Sequence, residues 1–237
     1  CKDTNVKPDT DPQPVDTTGD VQVWQTSGNE VQLLSRQSSI NFSHEIGNFT
    51  IVLDSTVSFQ YIDGFGAALT GSSAFLINQM KTSDRDTLLT DLFDPVKGIG
   101  LNYLRITIGS SDFSLGTYSY CENPDINTFA IPQQDKTDLL PVLKLIKKIN
   151  PTIKILASPW SAPAWMKSNN SMYGGSLKGS EVYNDFAEYF IKYIKAFRAE
   201  GINIDAITIQ NEPMYETGGY PTMKMLWTEQ NIIIRDY

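Results

Sequence analysis

Apolar and polar positions along the chain predict strands that alternate with helices. Short apolar runs predict strands over residues 59–66, 101–108, 153–157 and 204–209. Apolar residues at helical spacing predict helices over 72–80, 83–93, 138–149, 180–199 and 222–237. A strand-then-helix repeat is typical of parallel strands covered by helices, so the predicted fold class is α/β.

A different pattern precedes this repeat. Residues 21–25 and 31–34 flank a turn at 27–29 and predict a hairpin, and alternation over 48–54 predicts a further strand. Residues 1–20 carry five aspartates and three prolines but only two aliphatic side chains. Such a segment buries too little apolar surface to offset its ordering entropy. We therefore predict a disordered tether over 1–20, a small β region over 21–58, and the α/β repeat over 59–237.

The repeat fits two architectures, a doubly wound open sheet and a (β/α)8 barrel. A dinucleotide-binding fingerprint is absent, because Gly64-Phe-Gly66 is followed by Ala67-Ala-Leu69 and lacks the third glycine. Polar or aromatic residues lie at or near the end of every predicted strand: Asp63 near the end of the first, Arg105 in the second with Asp112 after it, Trp160 after the third, and Asn211 and Glu212 after the fourth. A barrel builds its active site from the carboxyl ends of its strands, so this pattern favours the barrel.

Composition narrows the range of partners. The net charge is −8 and the chain has no cluster of basic residues, which argues against a nucleic-acid partner. No apolar run reaches the roughly 18 residues that a transmembrane helix requires. His44 is the only histidine, and no cluster in the sequence is typical of a metal site. We predict no metal and no cofactor, and no oligomeric state is indicated.

Glu212 is the strongest candidate for catalysis. A carboxyl group at the end of an apolar strand is expected to be partly buried, which favours its protonated form and suits a general acid. The adjacent Asn211 amide can donate to a sugar hydroxyl, and the face of Trp160 can support a sugar ring. These residue types at the mouth of a barrel point to a glycoside hydrolase.

The motifs themselves resemble glycoside hydrolase family 30, which contains glucosylceramidases and microbial β-1,6-glucanases. The resemblance rests on SPWSAPAWMK at 158–167, GSLK at 175–178 and IQNEP at 209–213. GFGAALT at 64–70 and the segment from Asn102 to Tyr120 add to it. These motifs follow one another in the order of the family and extend from about residue 60 to the end of the chain.

The resemblance implies a (β/α)8 barrel with a side β-sandwich, and retaining hydrolysis of a β-linked oligo- or polysaccharide by two glutamates. Glu212 matches the general acid/base. Residues that match the substrate subsite are Asn211, Trp160 and Arg105, with Asp112 and Tyr120 as weaker matches. The nucleophilic glutamate of the family lies beyond the end of this chain, so we expect only about four of the eight βα units here and no activity from this fragment alone.

One departure bears on the substrate. Many family members have an aspartate after the threonine of the first strand motif, where it holds sugar hydroxyls, whereas Thr70 is followed here by Gly71. Strict glucosylceramidase specificity is therefore doubtful, and a β-1,6-glucan is favoured. The alternative is a surface glycan-binding lipoprotein that has the fold but no catalytic activity.

The first residue predicts where the protein resides. A cysteine at position 1, followed by an acidic, proline-rich segment, resembles a processed bacterial lipoprotein. In such proteins a lipid is attached to the cysteine sulfur. We therefore predict lipidation of Cys1 and attachment at the bacterial cell surface or in the periplasm, with contact to a membrane through this lipid alone.

Overall fold

The computed structural model describes residues 16–45, 47, 49, 51–52 and 54–237. Internal contacts divide the chain into two units, residues 1–60 and residues 61–237. Most of the predicted tether, residues 1–15, lies outside the described residues, as do Asn48, Thr50 and Leu53 of the strand predicted over 48–54. The described positions within 48–54 form no strand. Within the described part of the chain, no helix is both long and apolar enough to cross a membrane.

The first unit contains an antiparallel pair, β1 (Val21–Gln25) and β2 (Ser35–Ile40). The predicted partner of β1, residues 31–34, is wrong. Leu34 has a positive φ of 50°, which does not fit an extended strand, so the second strand begins only after it. Residues 16–20 of the predicted tether are tied to β2, since the Ser39 backbone N–H donates to the carbonyl of Asp16 at 2.8 Å.

The second unit is built on four parallel strands that lie side by side in sequence order. They are β3 (Gly66–Ala68), β4 (Tyr103–Ile108), β5 (Lys154–Pro159) and β6 (Ala206–Ile207). The helices are α1 (Gly71–Gln79), α2 (Thr82–Phe93), α3 (Leu140–Ile149), α4 (Tyr183–Ala199) and α5 (Trp227–Asp236). This order confirms the α/β fold with barrel topology, because a doubly wound sheet reverses its strand order around the first strand.

The core lies between the sheet and the helices. Its largest contribution comes from α4, where aromatic residues spaced three or four apart are fully buried: Phe186, Tyr189, Tyr193 and Phe197. These rings share one apolar cluster with Leu104 and Ile106 of β4. The four aromatic residues occupy one face of the helix, as their spacing predicts, and pack α4 against the sheet.

Both edge strands of the sheet are open among the described residues, as expected for the first four strands of a barrel. β3 pairs only with β4, and β6 pairs only with β5. Beside β6, Ile207 and Ile209 line an apolar cleft together with Phe190 of α4 and Ile233 of α5. A closed (β/α)8 barrel buries such a surface under its next strand and helix.

β3 lies later in the chain than predicted. The predicted strand ends in the glycines of 64–66, whereas β3 begins at Gly66. Gly66 pairs with Tyr103, and a β-carbon at Gly66 would overlap the carbonyl oxygen of Tyr103. Glycine is therefore required inside this strand, where the two backbones approach closely, and does not mark the end of the strand.

Replacing Gly66 with alanine should lower the free energy of unfolding by about 3 kcal/mol or more, because β3 and β4 would have to separate. Gly116→Ala is the matched control, since no atom lies within 4 Å of a β-carbon at that position. Chemical denaturation of the protein measures both variants. Equal stability of the two would contradict the close approach.

Candidate active site at the carboxyl ends of the strands

Parallel pairing brings the carboxyl ends of β4, β5 and β6 to one edge of the sheet. Arg105 lies within β4, Trp160 directly follows β5, and Glu212 follows β6 by five residues. Asp63 was predicted at the same edge, and this prediction is wrong. Asp63 precedes β3 and forms an ion pair at 2.7 Å with Lys154, the first residue of β5, so it lies at the amino end.

Arg105 connects the three strand ends. Its Nη2 atom donates to the Asn211 side-chain oxygen at 2.8 Å and to the Ser158 hydroxyl at 3.2 Å. Its guanidinium carbon lies 4.7 Å from the centroid of the Trp160 ring, within the range of a cation–π contact. One side chain thus positions both the amide after β6 and the indole after β5.

The orientation of the Asn211 amide follows from this contact. A guanidinium group has only donors, so the Asn211 oxygen must face Arg105 and the amide nitrogen must face away from it. The Asn211 backbone N–H donates to the carbonyl of Pro159 at 2.8 Å, which fixes the main chain as well. The side-chain nitrogen is therefore the donor that Asn211 can offer to a bound molecule.

Glu212 is held in an unusual backbone conformation. Its φ is +45°, in the left-handed region that non-glycine residues seldom adopt and that is found more often at functional sites. The Tyr215 backbone N–H donates to the Glu212 carbonyl at 2.9 Å, and the Met225 N–H donates to the Pro213 carbonyl at 2.6 Å. The backbone around the carboxyl group is thus determined by the loop that follows it.

The partial burial expected for Glu212 is not observed, because its residue is exposed in this structure. The predicted strand over 204–209 is reduced to Ala206–Ile207, so the carboxyl group lies on a loop beyond the ladder. β6 is also an edge strand, and among the described residues no neighbour covers it from the open side.

Asp112 and Tyr220 lie close to Glu212 and Arg105. Burial lowers the pKa of Arg105, while the negative charges of Glu212 and Asp112 oppose this shift. Desolvation raises the pKa of Tyr220, and Tyr215, Glu212 and Asp112 act in the same direction. The charge of Asp112 is therefore close enough to act on both Arg105 and Tyr220.

The sequence analysis missed the aromatic pair formed by Tyr215 and Tyr220. Their rings are stacked with centroids 6.3 Å apart and an interplanar angle of 26°. Both residues lie on the loop that begins at Glu212, and Tyr215 is exposed. Two tyrosines within eight residues of a candidate acid are the sequence signal that could have identified them.

Tyr120 is not brought to this site. It is 2% exposed, and its ring packs against Phe129 and Tyr193 in the core. Its hydroxyl donates to the carboxylate of Asp135, which also accepts from Tyr118 at 2.7 Å, and burial raises the pKa of Asp135 to about 6. Tyr120 therefore anchors the loop after β4 to the core, and its buried position does not support the predicted contact with substrate.

Comparison with known proteins identifies the family of the second unit. A family model for the glycosyl hydrolase family 30 TIM-barrel domain matches residues 62–236. An endo-1,6-β-D-glucanase of Aspergillus fumigatus is 38% identical over 198 residues, which cover 75% of this chain and 40% of that protein. The lysosomal acid glucosylceramidase of Mus musculus is 31% identical, over 78% of this chain and 38% of that protein.

Solved structures give the same result. A structure described as the endo-β1,6-glucanase BT3312 superposes with a TM-score of 0.85 and 40% sequence identity. The match covers 92% of this chain and 49% of that one. The chain thus spans about 40% of the length of the curated relatives above and about half of this structural neighbour.

Exchanging Asn211 tests the bridge to Arg105. Asn211→Leu removes the acceptor at 2.8 Å and should lower the free energy of unfolding by about 1 to 2 kcal/mol, since the half-buried guanidinium loses a partner. Asn211→Asp keeps an oxygen in the same place and should retain the stability of the parent. Thermal unfolding of the two variants measures the difference, and a leucine variant as stable as the aspartate variant would show that the bridge contributes nothing.

Proposed function

We propose that this chain, which belongs to glycosyl hydrolase family 30, carries the acid/base side of the active site of a retaining β-glycosidase that acts on β-1,6-linked glucan. The observation that carries the proposal is the arrangement of Glu212 beside Asn211, with Arg105 joining Asn211 to Trp160. The endo-1,6-glucanases among the relatives support the linkage.

The chemistry assigned to Glu212 has two steps. As a carboxylic acid, Glu212 protonates the glycosidic oxygen while a second carboxylate attacks the anomeric carbon and forms a covalent glycosyl-enzyme. As a carboxylate, it then takes a proton from the water that hydrolyses this intermediate. Such proton transfers contribute about 10²- to 10⁴-fold to the rate.

Three neighbours of Glu212 bind and orient the sugar. The Asn211 nitrogen, which faces away from Arg105, donates to a sugar hydroxyl. Trp160 is 9% exposed and has Arg105 over its ring, so we assign it to the floor of the subsite and not to its rim. The exposed Asp112, beside Arg105, is assigned to a sugar hydroxyl at the rim of the subsite.

The second carboxylate is proposed to come from barrel strands that follow residue 237. A retaining mechanism needs two carboxyl groups about 5 to 5.5 Å apart on either side of the scissile bond. Glu122 accepts the Ser119 N–H at 2.5 Å, and Glu216 accepts the Gly175 N–H at 2.7 Å. The other glutamates of the second unit lie in α4, in α5 or at the ends of α4: Glu181, Glu188, Glu200 and Glu229.

Gly71 supports a glucan rather than a glucosylceramide as substrate. It is the first residue of α1 and follows Thr70, whose hydroxyl caps that helix by accepting the Ser73 N–H at 3.2 Å. The closest atom to a β-carbon at Gly71 is the Ser114 hydroxyl oxygen at 3.6 Å, so a side chain would fit there. The glycine leaves this space without a hydrogen-bonding group, and one contact to a terminal sugar is lost.

Glu212→Gln in the full-length protein should reduce hydrolysis of β-1,6-glucan by about two to four orders of magnitude, because the amide cannot protonate the leaving oxygen. An aryl β-glucoside with a good leaving group needs no protonation, so its first step should be spared. Azide should then restore turnover of that substrate and yield a β-glycosyl azide, since azide attacks the glycosyl-enzyme without a general base.

Two controls define the outcome. Asn211→Asp should bind sugar more weakly without the leaving-group dependence, because it loses the amide donor and keeps Glu212. Residues 1–237 alone should be inactive, and activity of this segment would instead point to Asp112 as the second carboxylate. Unchanged glucan hydrolysis by Glu212→Gln would remove Glu212 as the acid. A wild-type protein that binds glucan without hydrolysing it would favour the glycan-binding lipoprotein.

Lipid attachment at Cys1 is a separate proposal that rests on the sequence of residues 1–20. Replacing Cys1 with serine in the precursor removes the thiol that would carry the lipid, so the protein should move from the membrane fraction to the soluble fraction. Fractionation with detection of the protein measures this change. Membrane attachment that persists in the serine variant would contradict lipidation.

A further inference from the structure

Lys167 is a buried lysine with no carboxylate among its hydrogen-bond partners. Its residue is 0% exposed. Its Nζ atom donates to the Ser161 hydroxyl at 2.9 Å, to the Met172 carbonyl at 3.1 Å and to the Thr222 carbonyl at 2.6 Å. An ammonium group has three donors and no acceptor, so the three oxygens match its capacity.

The three acceptors belong to two different loops. Ser161 and Met172 lie on the loop after β5, whereas Thr222 lies on the loop after β6 that begins with Glu212. Lys167 thus links the two loops through its side chain. The Thr222 backbone N–H donates to the Met172 carbonyl at 3.0 Å beside this link.

A second set of hydrogen bonds joins the same two loops nearby. The Lys224 N–H donates to the Gly175 carbonyl at 2.8 Å, and the Gly175 N–H donates to the Glu216 carboxylate at 2.7 Å. These contacts lie in the outer parts of the loops, while Lys167 is enclosed between them. The Lys167 side chain therefore links the two loops in the protein interior.

The segment held by Lys167 contacts Gln210 and Pro213, which flank Asn211 and Glu212. Met223, next to Thr222, offers its carbonyl to the Gln210 side-chain nitrogen at 3.2 Å. Met225 donates its backbone N–H to the Pro213 carbonyl at 2.6 Å. Displacement of residues 222–225 would therefore remove the contact to Pro213 and one of the two hydrogen bonds of the Gln210 side chain, close to a residue whose φ of +45° requires support.

Burying an ammonium group without a hydrogen-bonded anion costs desolvation free energy. Desolvation lowers the pKa of Lys167 to about 7, and the charge of Glu216 only partly opposes this. An apolar side chain of similar length would fill the same volume without that cost. The lysine adds three directed hydrogen bonds between loops, which an apolar residue cannot supply.

We propose that Lys167 is a positioning residue that holds the carboxyl group of Glu212 in place by fastening the loop after β6 to the loop after β5. The proposal deepens the proposed function and rests on the role of Glu212 as the general acid/base. Lys167 does not touch the substrate in this account, and it acts through Thr222 and the backbone around Glu212.

The test compares Lys167→Met with Lys178→Met in the full-length protein. Methionine keeps the unbranched stem and removes the three donors, and Lys178 is an exposed lysine on the same loop. Lys167→Met should reduce kcat on β-1,6-glucan by about 10- to 100-fold, because a shift of about 1 Å in a catalytic group costs on that order. Lys178→Met should leave it unchanged.

A substrate that bypasses Glu212 separates positioning from general loss of structure. With an activated aryl β-glucoside and azide, Lys167→Met should turn over at close to the parental rate. An equal loss of rate on both substrates would overturn the proposal in favour of a purely structural lysine. Hydrogen exchange of residues 213–225 should also be faster in Lys167→Met, and unchanged exchange would count against the link.

A milder variant covers the case in which Lys167→Met does not fold. Ser161→Ala removes one of the three acceptors and should give a smaller loss on glucan with the same dependence on the leaving group; no such dependence would overturn the proposal. The proposed function and the positioning role can be contradicted separately. If the rate of Glu212→Gln does not depend on the leaving group, the proposed function is wrong. If the rate of Glu212→Gln depends on the leaving group but the rates of the Lys167 and Ser161 variants do not, only the positioning role is wrong.

Discussion

The hydrogen bond from Arg105 to the Asn211 side chain is the contact on which the geometry of this site depends. It runs from the interior of β4 to the loop after β6 and passes Ser158 and Trp160 at the end of β5. Parallel pairing brings these strand ends to one edge, but only a side chain that crosses all three can fix the distances among them. The guanidinium stays charged although burial lowers its pKa, since Glu212 and Asp112 lie close enough to oppose that shift.

Glu212 depends on a different kind of support. β6 contributes only two residues to the ladder and ends before Thr208, so beyond the Asn211 N–H bond to Pro159 of β5 the position of the carboxyl group depends on loops. The loops act through hydrogen bonds at 2.6–3.2 Å that connect Gln210 and Pro213 to residues 223–225. The positive φ of Glu212 is a local cost that these contacts offset. Arg105 thus holds the Asn211 amide, and residues 223–225 hold the backbone next to Glu212, through separate contacts.

The sequence predicts an element or a site residue correctly where its residue pattern occurs in one kind of structure, and it fails where the same pattern occurs in two. The strands around Ile106 and Ala157 were predicted close to their true positions, because a continuous apolar run between a helix and a loop has few other interpretations. Gly66 was misread as a strand end, although the close approach of Tyr103 requires it inside β3. Tyr120 was misread as a sugar contact, because an aromatic residue after a strand looks the same whether it faces the core or the cleft. The interior role of Lys167 was missed because a lysine in a polar loop reads as solvated.

The open edge at β6 has a consequence for how the site is assembled. The apolar cleft beside Ile207 and Ile209 is left exposed by the four strands described here, and a closed barrel buries such a surface. Residues 222–225 are held from the other side, by contacts of Thr222 and Lys224 with Lys167, Met172 and Gly175 of the loop after β5. The backbone around Glu212 is therefore held by contacts within this chain, on the side toward β5. In the mechanism proposed above, the second carboxylate would have to approach a group whose backbone is already held by these contacts.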